Sequence, residues 1–374
     1  MRSSVLALAL AAAGPAAAPP APAPPAAFRP ADPAHRWEFP RDHHAHPGYR
    51  NEWWYLTGTL EDAADPARRY GFQLTFFRLG LAPAAPPLDS AWATADAVMA
   101  HLALTEVASG THVFSEVVWR ATPLLGGFPP PGEPLLAWAR APAGTPGRWT
   151  LALEDGLFRL VARDDARGIA LDLAARPRKP VALEGPNGLS RKSADGTHAS
   201  LYASITRLAT EGTLSIGGRA YRVRGESWMD QEMSSSQLAP DQVGWDWWSL
   251  RLGDGRDLMM YVLRRRDGAP SWRMATLAER DGRVRLLGPE EWSVRATGTW
   301  TSPVTRAVYP SGWEVAVPSA GVRVTATPLV KGAENVSSLV PGLSYWEGPV
   351  GLTGSENGNG YVELTGYTGS RLPL

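Results

Sequence analysis

Apolar residues on every second position, recurring from the first third of the chain to its last residues, constrain this sequence more than any other feature. Tyr70, Phe72, Leu74 and Phe76 alternate with Gly71, Gln73 and Thr75; Trp248, Leu250 and Leu252 alternate with Ser249 and Arg251; Val362 and Leu364 alternate with Tyr361, Glu363 and Thr365. A period of two belongs to a strand with one face buried, the pattern of antiparallel sheets. The 38 glycines and 34 prolines are spread along the chain and leave few runs at helical spacing. The predicted class is therefore all-β. The best helix candidate, residues 89–97, reads equally as a loop over a barrel mouth. The turn-rich stretches 126–134 and 176–193 read as loops, not strand interiors.

At 374 residues the chain exceeds the usual single-domain size. An internal repeat says where to divide it. Glu52-Trp53-Trp54 opens one strand and Asp246-Trp247-Trp248 another, and each is followed by a turn and an apolar strand that reaches an arginine, Arg78 or Arg264. The second turn, GDGRD, suits a tight hairpin. This predicts two related β units: a leader over 1–35, a first domain over 36–222 and a second over 223–374. Many strands of moderate length fit a sandwich or a closed barrel, and closure removes exposed edges. Barrels of about eight strands can hold one small apolar ligand. Sixteen tryptophans are more than a core of this size needs, which points to an aromatic-lined interior.

Lys+Arg and Asp+Glu are both 37, so the formal charge is zero. Nothing global attracts nucleic acid or an anionic membrane surface. The absence of cysteine excludes disulfides, thiolate nucleophiles and zinc–cysteine sites. The N-terminus carries one arginine, a short apolar run over 5–13 and small residues with Ala11 and Ala13 placed for cleavage, followed by a Pro/Ala tract to Ala27. This reads as a secretory signal and a stiff tether. The expected product is a soluble exported protein, periplasmic or secreted, with no membrane-spanning segment in the mature chain.

No G-x-S-x-G stretch and no phosphate-binding glycine loop is present, so α/β-hydrolase, ATP and NAD chemistry are not expected. Six of the seven histidines lie at or before His112. His43, His44 and His46, with Asp42 or Glu52, carry the residue types of a metal site, but a loop that orders the next strand is the reading preferred, and no metal or cofactor is assigned. His43 and His46 are general acid/base candidates, with Glu52 beside them. In GESWMDQEMSSS, Asp230 and Glu232 share a face if the backbone is extended. Burial among tryptophans would keep one protonated while its neighbour stays ionised. Pairing with Arg224, Arg251 or Arg264 is the competing structural role, and Asp246 has the same two readings. Ligand-binding candidates are Trp53, Trp54, Tyr55, Trp228, Trp245, Asp246, Trp247, Trp248 and Tyr261. Regular strand geometry turns Asp246 away from Trp245 and Trp247. Arg191 and Lys192, as cations for a carboxylate-bearing ligand, and Glu347 and Glu363 are weaker site candidates.

The runs FPRDHHAHPGYRNEWWYLTG, GLSRKS, VRGESWMDQEMSSS, GWDWWSLRL and YWEGPVGLTG…GYVELTGY resemble those of the AttH-like, carotenoid 1,2-hydratase-related proteins. Five motifs in order cover nearly the whole mature chain. The resemblance implies two consecutive lipocalin-like barrels with ligand space inside or between them. It also implies chemistry on isolated double bonds: hydration of carotenoids or cyclisation of polyenes. A carboxylic acid, Asp230 here, would protonate an alkene, indole faces would stabilise the cation and water would be captured. The chain departs from the hydratases in lacking histidine around residues 228–232 and 245–247. The expected function is thus an exported protein acting on a hydrophobic polyene, terpenoid or lipid, the alternatives being a non-catalytic carrier of a small hydrophobic ligand or a secreted hydrolase.

Overall fold

The structure, a computed structural model, describes residues 27–369. The stretch expected to be a secretory signal lies outside these residues. Among them there is no α-helix, only three short 3₁₀ turns and strands in two large antiparallel sheets, with one separate hairpin at Thr299–Thr301 and Val308–Pro310. The helix candidate at 89–97 is bends and turns that lead into the strand Asp96–Glu106. Of the turn-rich stretches, only short strands form: Gly126–Gly127, Ala182–Leu183 and Leu189–Arg191.

The first sheet runs as a meander from Thr111–Arg120 back through Asp96–Glu106 and Arg69–Gly80 to Asn51–Asp62. It continues through Arg219–Ser236 and Ala199–Ile216 to the strands between Gly126 and Pro177. Its two ends nearly meet: the indole N–H of Trp119 on one edge donates to the carbonyl of Arg140 on the other, 2.9 Å away. The second sheet, a half-barrel, is centred on Gln242–Leu252, flanked by Asp257–Arg265 and Gly358–Thr365. The fold is that of tandem lipocalin-like domains.

The alternation seen in the sequence sorts side chains between three apolar regions. Trp54, Leu56, Phe72, Leu74 and Phe76 fill the first barrel, and Trp248, Leu250, Leu252, Val362 and Leu364 fill the second. The opposite faces of the same strands, carrying Tyr55, Trp247 and Tyr361, meet in a third cluster between the barrels. Period two therefore gives each central strand two buried faces, one internal and one shared.

The division expected at 222/223 falls inside Arg219–Ser236, which pairs along its length with Asn51–Asp62 and Ala199–Ile216. The change of sheet comes after Ser236, before Gln242. The reason is a long hairpin: Gly217 and Gly218, with φ of 59° and 75°, make a two-residue turn that requires positive φ at both positions. The strand leaving it returns into the barrel it came from. Its register sets Ser204 opposite Asp230 and Tyr202 opposite Glu232.

Asp257, fully buried, fastens the barrels together. It accepts from Lys179 and Arg207, both at 2.7 Å, and from Thr206 at 2.8 Å, all on the first-barrel side. A buried carboxylate needs such partners to offset its desolvation.

Candidate functional site

The shared cluster is not fully packed. It opens into a narrow cleft with about 60 Å³ of free volume. Trp53, Tyr55 and Phe77 come from the first barrel and Trp245, Trp247 and Tyr261 from the second, so neither barrel forms the cleft alone. The polar groups on its wall are few: Asp230, Glu232, Lys192, Glu363 and the hydroxyls of Tyr202 and Tyr345 are the principal ones.

Asp230 and Glu232 point into this cleft from one face of the strand Arg219–Ser236, with Gln231 turned the other way. Their surroundings differ. One Asp230 oxygen accepts from Ser204 Oγ and Trp228 Nε1, each at 2.6 Å, and the other from Tyr202 Oη, also at 2.6 Å. Tyr202 Oη in turn accepts from Trp247 Nε1 at 3.0 Å, so an indole–phenol–carboxyl relay links the two barrels at this residue. No cation touches Asp230 among the described residues. Burial dominates the three hydrogen bonds and pushes its pKa up to about 7. Glu232 instead is ion-paired with Lys192 Nζ at 2.7 Å and accepts from Ser200 and Gln237. Burial alone would lower the Lys192 pKa; Glu232 outweighs it and holds the ammonium charged. That ammonium lies 4.3 Å from the Tyr261 ring centroid.

Across the cleft, Glu347 and Glu363 are a direct cross-strand pair. Burial pushes Glu363 up to about 7, and burial together with the Glu363 charge pushes Glu347 well above the carboxylate range. Glu363 accepts from Trp245 Nε1 at 3.2 Å. The site therefore holds one ion pair and several carboxyls that keep a proton near neutrality.

The remaining candidates lie elsewhere. Trp54 and Trp248 point into their own barrels, Trp54 stacked on Phe128 and Trp248 edge-on to Trp313. Trp228 is fully buried behind Asp230, a supporting donor and not a wall. Asp246 faces away from its two tryptophan neighbours, paired with Arg264 at 2.8 Å and accepting from Tyr367 Oη. Glu52, its counterpart in the repeat, is 3.5 Å from Arg78 and 2.7 Å from His46. These acids and arginines are the paired ends of two equivalent strand pairs, a structural device repeated in each barrel.

The histidines do not reach the cleft. Residues 41–43 form a 3₁₀ turn. His43 packs on Phe158, its Nδ1 3.4 Å from Gln231 Oε1, and burial lowers its pKa to about 4. His44 Nδ1 lies 3.2 Å from the carbonyl of Pro129. His46 turns back to Asp42 and Glu52. The donor atoms of His35, Asp42 and His46 lie within 4.8 Å of one another.

Tyr202, Gln73 and Tyr345 carried no signal in the sequence. Gln73 and Tyr345 belong to a buried polar network in which Gln73 Nε2 and His101 Nδ1 contact Tyr345 Oη at 3.1 and 2.6 Å. Gln73 was visible only as a polar residue on an alternating strand, and only the sheet order says that its face is buried.

A family model described as AttH-like matches residues 30–367. The structure is similar to an AttH of Nitrosomonas europaea, with a TM-score of 0.75 and 32% identity over 91% of this chain and 99% of that one. It is also similar to kievitone hydratase from Nectria haematococca, with a TM-score of 0.65 and 12% identity over 89% of this chain and 94% of that one, a likeness of fold. A search of curated proteins returns no match.

Proposed function

The chain belongs to the AttH-like family, and on that premise we propose that the cleft between its barrels binds a hydrophobic polyene, terpenoid or lipid and hydrates an isolated double bond in it. The observation that carries this reading is the state of Asp230: a carboxyl buried in an aromatic wall, without a cation, holding its proton up to about pH 7. The fold likeness to a hydratase supports the same reaction class.

In the proposed step the Asp230 carboxyl transfers its proton to one alkene carbon, leaving a tertiary cation and a carboxylate. The faces of Trp53, Trp245 and Trp247 stabilise the positive charge. Water adds to the cation, and the proton it sheds returns to Asp230, so the catalyst is regenerated. Tyr202, hydrogen-bonded to both Asp230 and Trp247, fixes the carboxyl in place. The Lys192–Glu232 pair is a neutral polar mark on an otherwise apolar wall that would orient a ligand hydroxyl or carbonyl.

The cleft contains no hydrogen-bonded nucleophile–base pair among the described residues: Thr75, its one small hydroxyl, accepts from Gln73 and makes no hydrogen bond to its cross-strand neighbour His101, whose Nδ1 contacts Tyr345 Oη. That favours addition to a double bond over hydrolysis. The absence of histidine from the lining also favours a second reading, a carrier that binds the same ligand without turnover. Export from the cytoplasm is part of the proposal and rests on the N-terminal sequence alone. No helix among the described residues is long and apolar enough to cross a membrane.

The test is to purify the protein from its own exported fraction, extract it with organic solvent and identify bound molecules by mass spectrometry. An unsaturated apolar molecule, or its hydrated product, is expected in stoichiometric amount. Its absence from well-folded protein would defeat both the enzyme and the carrier readings.

A further inference from the structure

We propose that His35, Asp42 and His46 form a binding site for one divalent transition-metal ion of the zinc class, separate from the cleft. His35 Nε2 lies 3.4 Å from Asp42 Oδ2, and His46 Nε2 lies 3.7 Å from Asp42 Oδ1. Ligands bound to zinc at about 2.1 Å on a tetrahedron stand about 3.4 Å from one another. The three donor atoms lie within 4.8 Å of one another, so the widest pair would close by at most about 1.4 Å to meet that spacing.

Three independent features prepare these side chains as ligands. His46 Nδ1 lies 2.7 Å from Glu52 Oε1, a fully buried carboxylate. A carboxylate behind the distal nitrogen fixes ring and tautomer in many metal sites, here leaving the Nε2 lone pair toward Asp42. His35 Nε2 is buried and has no hydrogen-bond partner among the described residues, a state that buried polar nitrogens rarely keep. Asp42 is 6% exposed at its side chain and is aimed by the backbone N–H of Glu38 at 2.8 Å. The two imidazole side chains remain 19% and 17% exposed.

The neighbouring histidines are excluded by geometry, since His43 and His44 are committed to Gln231 and to the carbonyl of Pro129. The ion would join residue 35 to residue 46 and, through Glu52, to the strand Asn51–Asp62. The segment it would lock is the one that covers the first barrel, where Trp54 Nε1 donates to the carbonyl of His43 at 2.8 Å. The site is a cross-link between a loop and the barrel beneath it.

The experiment is a Co²⁺ titration of the chelator-treated full-length protein, followed by visible absorption, with Zn²⁺ as competitor. One Co²⁺ per chain with d–d bands displaced by Zn²⁺ is expected, together with a rise in melting temperature. His35→Gln and Asp42→Asn should each weaken binding at least tenfold, and His198→Gln should leave it unchanged. No binding by the wild type, or equal binding by His35→Gln, overturns the site. A readout without variants is paramagnetic broadening of histidine NMR signals in the wild type. It should fall on His35 and His46, and broadening centred on His112 or His198 instead would also overturn it.

Discussion

Asp230 and Asp246 are both buried aspartates on tryptophan-rich strands, and their partners alone give them different work. Asp246 has Arg264 and Tyr367. Removing it as Asp246→Ala would leave a buried guanidinium unpaired, and an unfolding free energy lower by about 3 kcal/mol is expected in urea denaturation; a change below half of that would show the pair to be dispensable. Asp230 has only neutral donors, so its carboxyl should titrate with a midpoint near 7 by ¹³C NMR. The hydrogen bond from Tyr202 favours the ionised form, so Tyr202→Phe should move that midpoint upward. A midpoint below 5 in the wild type, or a downward move in the variant, would remove the proton-donor role. The spacing of Asp230 and Glu232 was legible, because two residues apart on a strand is one face. Lys192 was legible only as a loop cation and Tyr202 not at all, because they arrive from a loop and from a neighbouring strand whose register no local pattern encodes.

At the level of single strands, the paired tryptophans of Asn51–Asp62 and Gln242–Leu252 divide between core and cleft. Trp54 and Trp248 are buried cores of their barrels; Trp53 and Trp247 line the shared site. Trp54→Ala should cost about 3–5 kcal/mol of stability by cavity formation. Trp53→Ala should cost much less and instead weaken retention of the apolar ligand, measured as the amount extracted per mole of protein. Equal destabilisation by both would contradict the division. The alternation, the repeat and the acid–arginine ends were readable because each is a local pattern. The 3₁₀ turn at Arg41–His43 was not, and it rotates His43 and His46 away from the cleft and toward the first barrel. The boundary at 222/223 failed for a related reason: the repeat marks where a motif recurs, while the hairpin at Gly217–Gly218 decides which sheet receives the returning strand.

Over the whole molecule, the cleft concentrates buried acid between two barrels in a chain with no net charge. Asp230 and Glu363 are raised to about 7 and Glu184 to about 8, each mainly by burial. Groups raised in this way bind protons more tightly when folded, so the stability they contribute is full below their unfolded values near 4 and is lost as pH rises through 7 to 8. His43, His101 and His112, lowered to about 4 by burial, act in the opposite sense: their contribution is full above 6.5 and is lost as pH falls toward 4. The two sets oppose each other between about 4 and 6.5; above 6.5 the carboxyls act in the same sense as His46, whose pKa is raised because Glu52 and Asp42 outweigh its burial. The melting temperature should therefore fall between pH 6.5 and 8.5, and fall less steeply in Asp230→Asn; a flat profile would mean that these carboxyls are ionised in the folded protein. The central claim is that Asp230 donates a proton to a double bond held between the barrels, and solvent isotope incorporation tests it most directly. Wild-type protein and Asp230→Asn are incubated in D₂O with the unsaturated ligand recovered from the native protein, and the products are weighed by mass spectrometry. The wild type should add the elements of water with one deuterium on carbon, while Asp230→Asn should bind the ligand equally and return it unchanged. Turnover by Asp230→Asn at the wild-type rate would contradict the account.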